Sequence, residues 1–409
     1  MRATGRVRPL AASSSRIEVS AIFPAMKFVS ATFGLALLGL LVACGGDEHK
    51  NPFSVKSEVV TSADRPITLA FAPDGRLFYG EQNTGNIHIV TAAGTLLAEP
   101  FGHVDVQAGL EWGLTGLAVD PDFERNHFLY VLFTQSVQKE PATARPVVTR
   151  FTDRDNKGVD PTAIIDNLPE TDPAHPGYNS HGRIQFGPDG YLYVAIGNYD
   201  VANSQDLAIP QGKVLRVSKD DGSPAPDNPF IGRADADPRI FAYGFRETFD
   251  FAFRPGSGKM YGTDNTAVSC EELNIIDGGN DYGYPNDIGQ FPYADCRFGS
   301  HVTGIHFFAK KDARPEDFLS NTYVSGLAFV SGTKYPTIGA ALLVCESEAE
   351  THTLRRLTLS ETGDQVLADD IVIDDCNMDV KVSPEGTIFY SNEKEIRRLV
   401  FEPTPVEGQ

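Results

Sequence analysis

Tryptophan occurs once and methionine four times in 409 residues, and beyond residue 43 no stretch sustains the 3.6-residue apolar period of an amphipathic helix. With 38 glycines and 27 prolines spread along the chain, long helices are disfavoured. Positive charge is also short: 35 Lys and Arg stand against 55 Asp and Glu. The first 43 residues take five of the bases and one acid, leaving 30 bases, 54 acids and a net charge of −24 on the rest. Such a surface repels phosphate, so nucleic acid is excluded as a partner. Acidic loops suit divalent cations and neutral polar ligands such as sugars. No Gly-x-Ser-x-Gly elbow, His-Glu-x-x-His pair or phosphate loop occurs, so serine-hydrolase, zincin and nucleotide readings lack support.

What the chain does have is a repeated hairpin. GRIQFGPDGYLYVAIGNY, from Gly182 to Tyr199, reads as two strands around a Pro188-Asp189-Gly190 turn. Pro188 fixes φ, Asp189 bonds its own backbone and Gly190 takes a positive φ. The same grammar returns at Ile67–Ile89, Leu114–Thr134, Phe249–Asn265, Asp379–Phe401 and, more weakly, Val324–Ser347. Six such units at spacings of roughly 50 to 75 residues predict an all-β, six-bladed β-propeller. A strand over Phe53–Val60 is expected to complete the last blade and close the ring. The longest stretches outside the repeat, Phe101–Gly113, Asp166–His181, Asn198–Asp237 and Asp264–Ser300, are expected to gather at one mouth of the channel.

The N-terminus reads as an export signal. After Met26-Lys27, the expected start, a short apolar run ends in Leu41-Val42-Ala43-Cys44 followed by Gly45-Gly46, the pattern of a bacterial lipoprotein signal. Residues 1–43 are therefore read as the signal region, 44–52 as a lipidated Cys44 and linker, 53–402 as the propeller and 403–409 as a tail. The expected location is the cell envelope, periplasmic or on the outer face of the cytoplasmic membrane, with the lipid as the membrane contact. Export leaves Cys270, Cys296, Cys345 and Cys376 in an oxidising compartment. Three pairings are open, of which Cys270–Cys296 and Cys345–Cys376 close the shorter loops.

His175 and His181, in DNLPETDPAHPGYNSHGR, are candidate bases near neutral pH. Arg246, in AYGFR, stands at a loop–strand junction where it can stack on a planar ligand or pair with a carboxylate. CEELNIIDGGNDYGYP places Glu271, Glu272, Asp277 and Asp281 around glycines, which suits calcium.

At these residues the chain resembles the soluble aldose dehydrogenases that use pyrroloquinoline quinone (PQQ), the glucose/sorbosone dehydrogenase group. The resemblance runs through Gly113–Phe133, Gly182–Gly197, Gln205–Phe230, Ile240–Arg246 and Glu271–Pro285, with QGKVLRV and DGSPAPDNPF its most specific pieces. It implies a six-bladed propeller that oxidises a small sugar at C1 to the lactone, a histidine base, PQQ as hydride acceptor and calcium polarising it. Arg246 then matches the arginine against the cofactor ring, while Glu272 and Tyr282 match residues around a structural calcium, the tyrosine through its carbonyl. The family's base position falls on Asn179, and His181, two residues on, is the expected base. The positions of the cations around the cofactor's carboxylates fall on Cys376 and Met378, with a third in Cys345-Glu346-Ser347-Glu348. Thr266-Ala267 stands for a Gly-Pro pair at calcium, and Glu247 for an asparagine. Two alternatives stay open: a non-catalytic propeller that binds carbohydrate or an envelope partner, and a calcium-dependent lactonase-like hydrolase built on residues such as Glu111, Asn179 and Asp264.

Overall fold

The expected hairpins form, and each is the inner half of a four-stranded antiparallel sheet. The computed structural model describes residues 51–137, 143–171, 177–180, 182–199, 203–266, 271–285, 301–308, 322–348 and 351–401. After β1 (Val55–Ser62), blade 1 comprises β2 (Pro66–Phe71), β3 (Leu77–Glu81), β4 (Asn86–Val90) and β5 (Gly102–His103). Blade 2 comprises β6 (Leu114–Val119), β7 (Phe128–Ser136), β8 (Ala144–Arg154) and β9 (Lys157–Ile165). Blade 3 is built from β10 (Gly182–Phe186), β11 (Leu192–Ile196), β12 (Lys213–Val217) and β13 (Ile240–Tyr243). Blade 4 has β14 (Thr248–Phe253), β15 (Met260–Asp264), β16 (Glu272–Ile276) and β17 (His306–Phe307). Blade 5 has β18 (Thr322–Val330), β19 (Ala341–Glu348), β20 (Thr351–Leu359) and β21 (Val366–Asp374). Blade 6 takes β22 (Val380–Val382), β23 (Ile388–Ser391) and β24 (Glu395–Phe401) from the C-terminal end and β1 from the other, in the order β1-β24-β23-β22. Pairing the chain's two ends in one sheet closes the ring, as the sequence predicts.

The turn chemistry is as read. Gly75, Gly190 and Gly386, which end the three Pro-acid-Gly turns, take φ of +85°, +82° and +80°, a region open to glycine at little cost. The strands do not sort into a wet face and a dry one, however. β3, β11, β12 and β15 are buried at every residue, because each blade packs both faces against neighbours. Ala70, Phe78 and Ile87 of blade 1 meet Leu117, Val131 and Val147 of blade 2, and Tyr193 and Val214 of blade 3 meet Phe251 and Met260 of blade 4. Burial of each such large side chain is worth about 1.5–3 kcal/mol, so the blades hold one another.

Antiparallel order fixes which loops share an end. Each inner strand starts at one face of the ring, here called the mouth. The described residues of the connections 104–113, 166–181, 198–212, 265–271 and 375–379 leave from or return to that face. The expectation that all of Asn198–Asp237 and Asp264–Ser300 line the mouth needs correction. Residues 218–239 join β12 to β13, and the segment after β16 likewise leaves from the opposite end.

Candidate functional site

Inner strands bring charged side chains onto the channel axis. Arg183 of β10 donates from Nη1 to the carbonyls of Ile67 (2.8 Å) and Thr115 (2.9 Å) and lies 3.4 Å from Asp250 of β14 and 3.8 Å from Asp379. Lys381 of β22 reaches both acids at 2.8 Å. Asp379 also accepts the Leu69 amide at 2.8 Å and Asp250 the Leu327 amide at 3.1 Å. Two cations and two anions thus tie the six inner strands together, and charges this deeply buried survive only when paired.

Around the mouth, a continuous arc of contacts runs from blade 1 to blade 4. Gln82 donates to the carbonyls of Leu110 (2.9 Å) and Trp112 (3.1 Å). Glu111 accepts the Ser180 amide at 3.0 Å. Tyr199 N–H donates to the Asn179 carbonyl at 3.0 Å, and Asn198 N–H to the Arg246 carbonyl at 2.9 Å. Arg246, half-buried, donates from Nη1 to the Asn265 carbonyl at 3.0 Å, and its amide donates to Asp264 at 3.1 Å. Asn265 exchanges two hydrogen bonds with Val324 of blade 5, at 3.0 and 2.9 Å. Arg246 is therefore held from both sides at the mouth, where the sequence places it.

Beyond Arg246 the mouth is acidic. Asp264 faces Glu272 across the β15–β16 pair. Burial raises Asp264 to about 6, moderated by the Arg246 and Glu247 amides. Burial, together with Asp264's charge, pushes Glu271 and Glu272 up to about 8. Glu271 Oε2 is buried and has no hydrogen-bond partner among the described residues. These are hard oxygen donors of the kind calcium takes, but among the described residues no three His, Cys, Asp or Glu converge to hold a metal. Tyr282 stacks on Phe245 (4.6 Å), donates its hydroxyl to the Ile275 carbonyl at 2.7 Å and accepts the Asp277 amide at 2.8 Å.

On the far side of the mouth, Cys345 of β19 is disulfide-bonded to Cys376, joining blade 5 to the loop before blade 6. Met378 packs with Ile67 and Phe249 near the axis. PQQ carries three carboxylates, and anions of that kind are held by charge-assisted bonds from cations. A disulfide sulfur and a thioether supply none, and the stretch holding the third position, Cys345-Glu346-Ser347-Glu348, is acidic, with Glu346 paired with Arg355 at 2.7 Å. The described residues at these positions do not fit the grip that the resemblance implies.

Cys44, His175, His181, Cys270 and Cys296 lie outside the described residues. Of the lactonase set, Glu111 and Asp264 each accept backbone amides, as above, and Asn179 is buried with φ +44°. Sequence reasoning missed Gln82, Asn265 and the axial ion set. The last had a signal: Arg183 in GRIQF, Asp250 in FDFAF and Lys381 in DVKV put charge inside otherwise apolar strands.

The fold is a six-bladed propeller with a polar, carboxylate-bearing mouth that includes Arg246. Residues 63–400 match the Glucose / Sorbosone dehydrogenase family, and the chain belongs to it. It is 26% identical over 360 residues to the aldose sugar dehydrogenase YliI of Escherichia coli K12, spanning 85% of this chain and 93% of that one. Its fold matches the PQQ-bound form of aldose sugar dehydrogenase from Streptomyces coelicolor with a TM-score of 0.65 at 23% identity, covering 85% of this chain and 99% of the other. A further relative, hedgehog-interacting protein of Mus musculus, is 27% identical over 226 residues, covering 49% of this chain and 32% of its own.

Proposed function

We propose that this protein binds a small neutral aldose at the channel mouth and oxidises it at C1 to the lactone. The observation that supports the reading is Arg246, held at the mouth by Asn265 and Asp264, in the AYGFR stretch that resembles the family's ring-contacting segment. His181 is the proposed base for the C1 hydroxyl proton, and a lipid on Cys44 the proposed anchor to the cell envelope. Calcium is proposed at Glu272 with the Tyr282 carbonyl, supported by the facing Asp264–Glu272 pair. Bound PQQ would supply a hydride acceptor. Cys376 and Met378 offer its carboxylates no cation.

That same finding favours a second reading, a propeller that binds carbohydrate without oxidising it. One experiment separates the two. Purified signal-less chain is incubated with PQQ and calcium, and aldose-dependent dye reduction is followed with and without His181→Ala. Reduction that His181→Ala abolishes supports the dehydrogenase; aldose binding without dye reduction supports the binder. A chelator-reversible rise in thermal stability with calcium, lost in Glu272→Gln, would support the ion.

A further inference from the structure

Two large apolar side chains stand exposed at the mouth, one on each of two adjoining loops. Leu110, between blades 1 and 2, is 61% exposed, and Tyr178, between blades 2 and 3, is 50% exposed. Tyr178 is flanked by buried Gly177, Asn179 and Ser180, and buried Trp112 lies two residues after Leu110. The loops are stitched together. Glu111 N–H donates to the Gly177 carbonyl at 3.2 Å, and the Glu111 carboxylate accepts from Ser180, as described above. Gly177 approaches so closely that a Cβ on it would sit 3.1 Å from Leu110 Cβ. Leu110 and Tyr178 therefore belong to one short wall.

That wall is kept in place against local preference. Leu110 has φ +50°, a conformation a branched or bulky side chain avoids, while Asn179, at φ +44°, is of a residue type that adopts this region readily. Gln82, buried, holds the Leu110 and Trp112 carbonyls, and its own Oε1 accepts from Arg65 Nε at 3.1 Å. Strained backbone held by its surroundings concentrates at ligand sites.

We propose that Leu110 and Tyr178 form the apolar wall against which the sugar lies, and so determine which sugar is accepted; this rests on the reading of the mouth as an aldose site. A pyranose has hydroxyls around its rim and two faces of C–H bonds. Ligand sites pair a few fixed polar groups with apolar and aromatic walls, and an aromatic ring offers a large rigid face for such contact. A polar partner is at hand, since half-buried Arg246 follows the wall along the same arc. The ligand class is a neutral aldopyranose, recognised by its apolar face here and by its hydroxyls at the arc.

The single tryptophan, Trp112, lies two residues from Leu110 with its indole N–H buried and without a partner, so its fluorescence reports on this wall. The full chain and the variants Tyr178→Ala, Tyr178→Phe and Leu110→Ser are titrated with a series of epimeric aldopyranoses, by fluorescence and by calorimetry. Tyr178→Ala and Leu110→Ser are expected to raise Kd about tenfold and to narrow the differences between epimers, while Tyr178→Phe keeps wild-type affinity. Circular dichroism and melting temperature are expected to stay at wild-type values, since both side chains are exposed. Unchanged affinity in Tyr178→Ala and Leu110→Ser, with Arg246→Ala still losing the sugar, would overturn the wall and leave the mouth reading standing. Failure of every aldopyranose to bind the wild-type chain would overturn both.

Discussion

Arg183 Nε stands 3.4 Å from Asp250 Oδ1, with both side chains almost completely removed from solvent. The same guanidinium lies over the Phe249 ring at 5.3 Å and bonds the backbone of blades 1 and 2. Removing it strands the Ile67 and Thr115 carbonyls and leaves Asp250 and Asp379 with hydrogen bonds that include the Leu327 and Leu69 amides and, among the described residues, Lys381 as their remaining cation. Arg183→Met is therefore expected to cost about 3–5 kcal/mol of stability, the usual result of breaking a buried pair from one side. Urea unfolding followed by circular dichroism measures it. The Arg183→Met, Asp250→Asn double variant is expected to lose less than the sum of the singles.

The Cys345–Cys376 bridge closes a loop of 31 residues between blades 5 and 6. On the chain-entropy account such a loop is worth about 3–4 kcal/mol. Ser at both positions is expected to lower the urea midpoint accordingly, and wild-type protein under strong reductant to approach the same value. Equal midpoints in the presence and absence of reductant would contradict the bridge.

Glu81 gives an acid limb to stability. Burial alone would raise its pKa, but His88, the Asp64 amide (3.0 Å) and Thr84 (2.7 Å) outweigh that and hold it down to about 2. A carboxyl depressed from about 4.5 in the unfolded chain contributes stability that is complete above pH 4.5 and is lost as pH falls toward 2. Glu81→Gln is expected to be less stable at pH 6 and to show a shallower loss between pH 4.5 and 2, measured by thermal melts across that range.

The blades were legible because a propeller repeats its turn. The Pro-acid-Gly signals at Gly75, Gly190 and Gly386 each ended an inner hairpin, and Phe53–Val60 was identifiable as the closing strand. The site was half legible. Arg246 follows from AYGFR, and the loss of cations at Cys376 and Met378 from the residue types alone. That the arc from Leu110 to Asn265 is one surface was not, since its members come from four blades and are joined by backbone amides such as Tyr199 to Asn179. Local pattern also misassigned residues 218–239 to the mouth, because a long loop in sequence carries no mark of which end of a strand it leaves from.

The central claim is that a neutral aldose occupies the mouth under Arg246. Calorimetric titration of the purified chain with glucose and its epimers, beside Arg246→Ala, tests it most directly. The account predicts saturable one-to-one binding to the wild type, at least tenfold weaker in Arg246→Ala, with the variant still folded by circular dichroism. Binding that Arg246→Ala leaves unchanged, or no binding to the wild type, would contradict it.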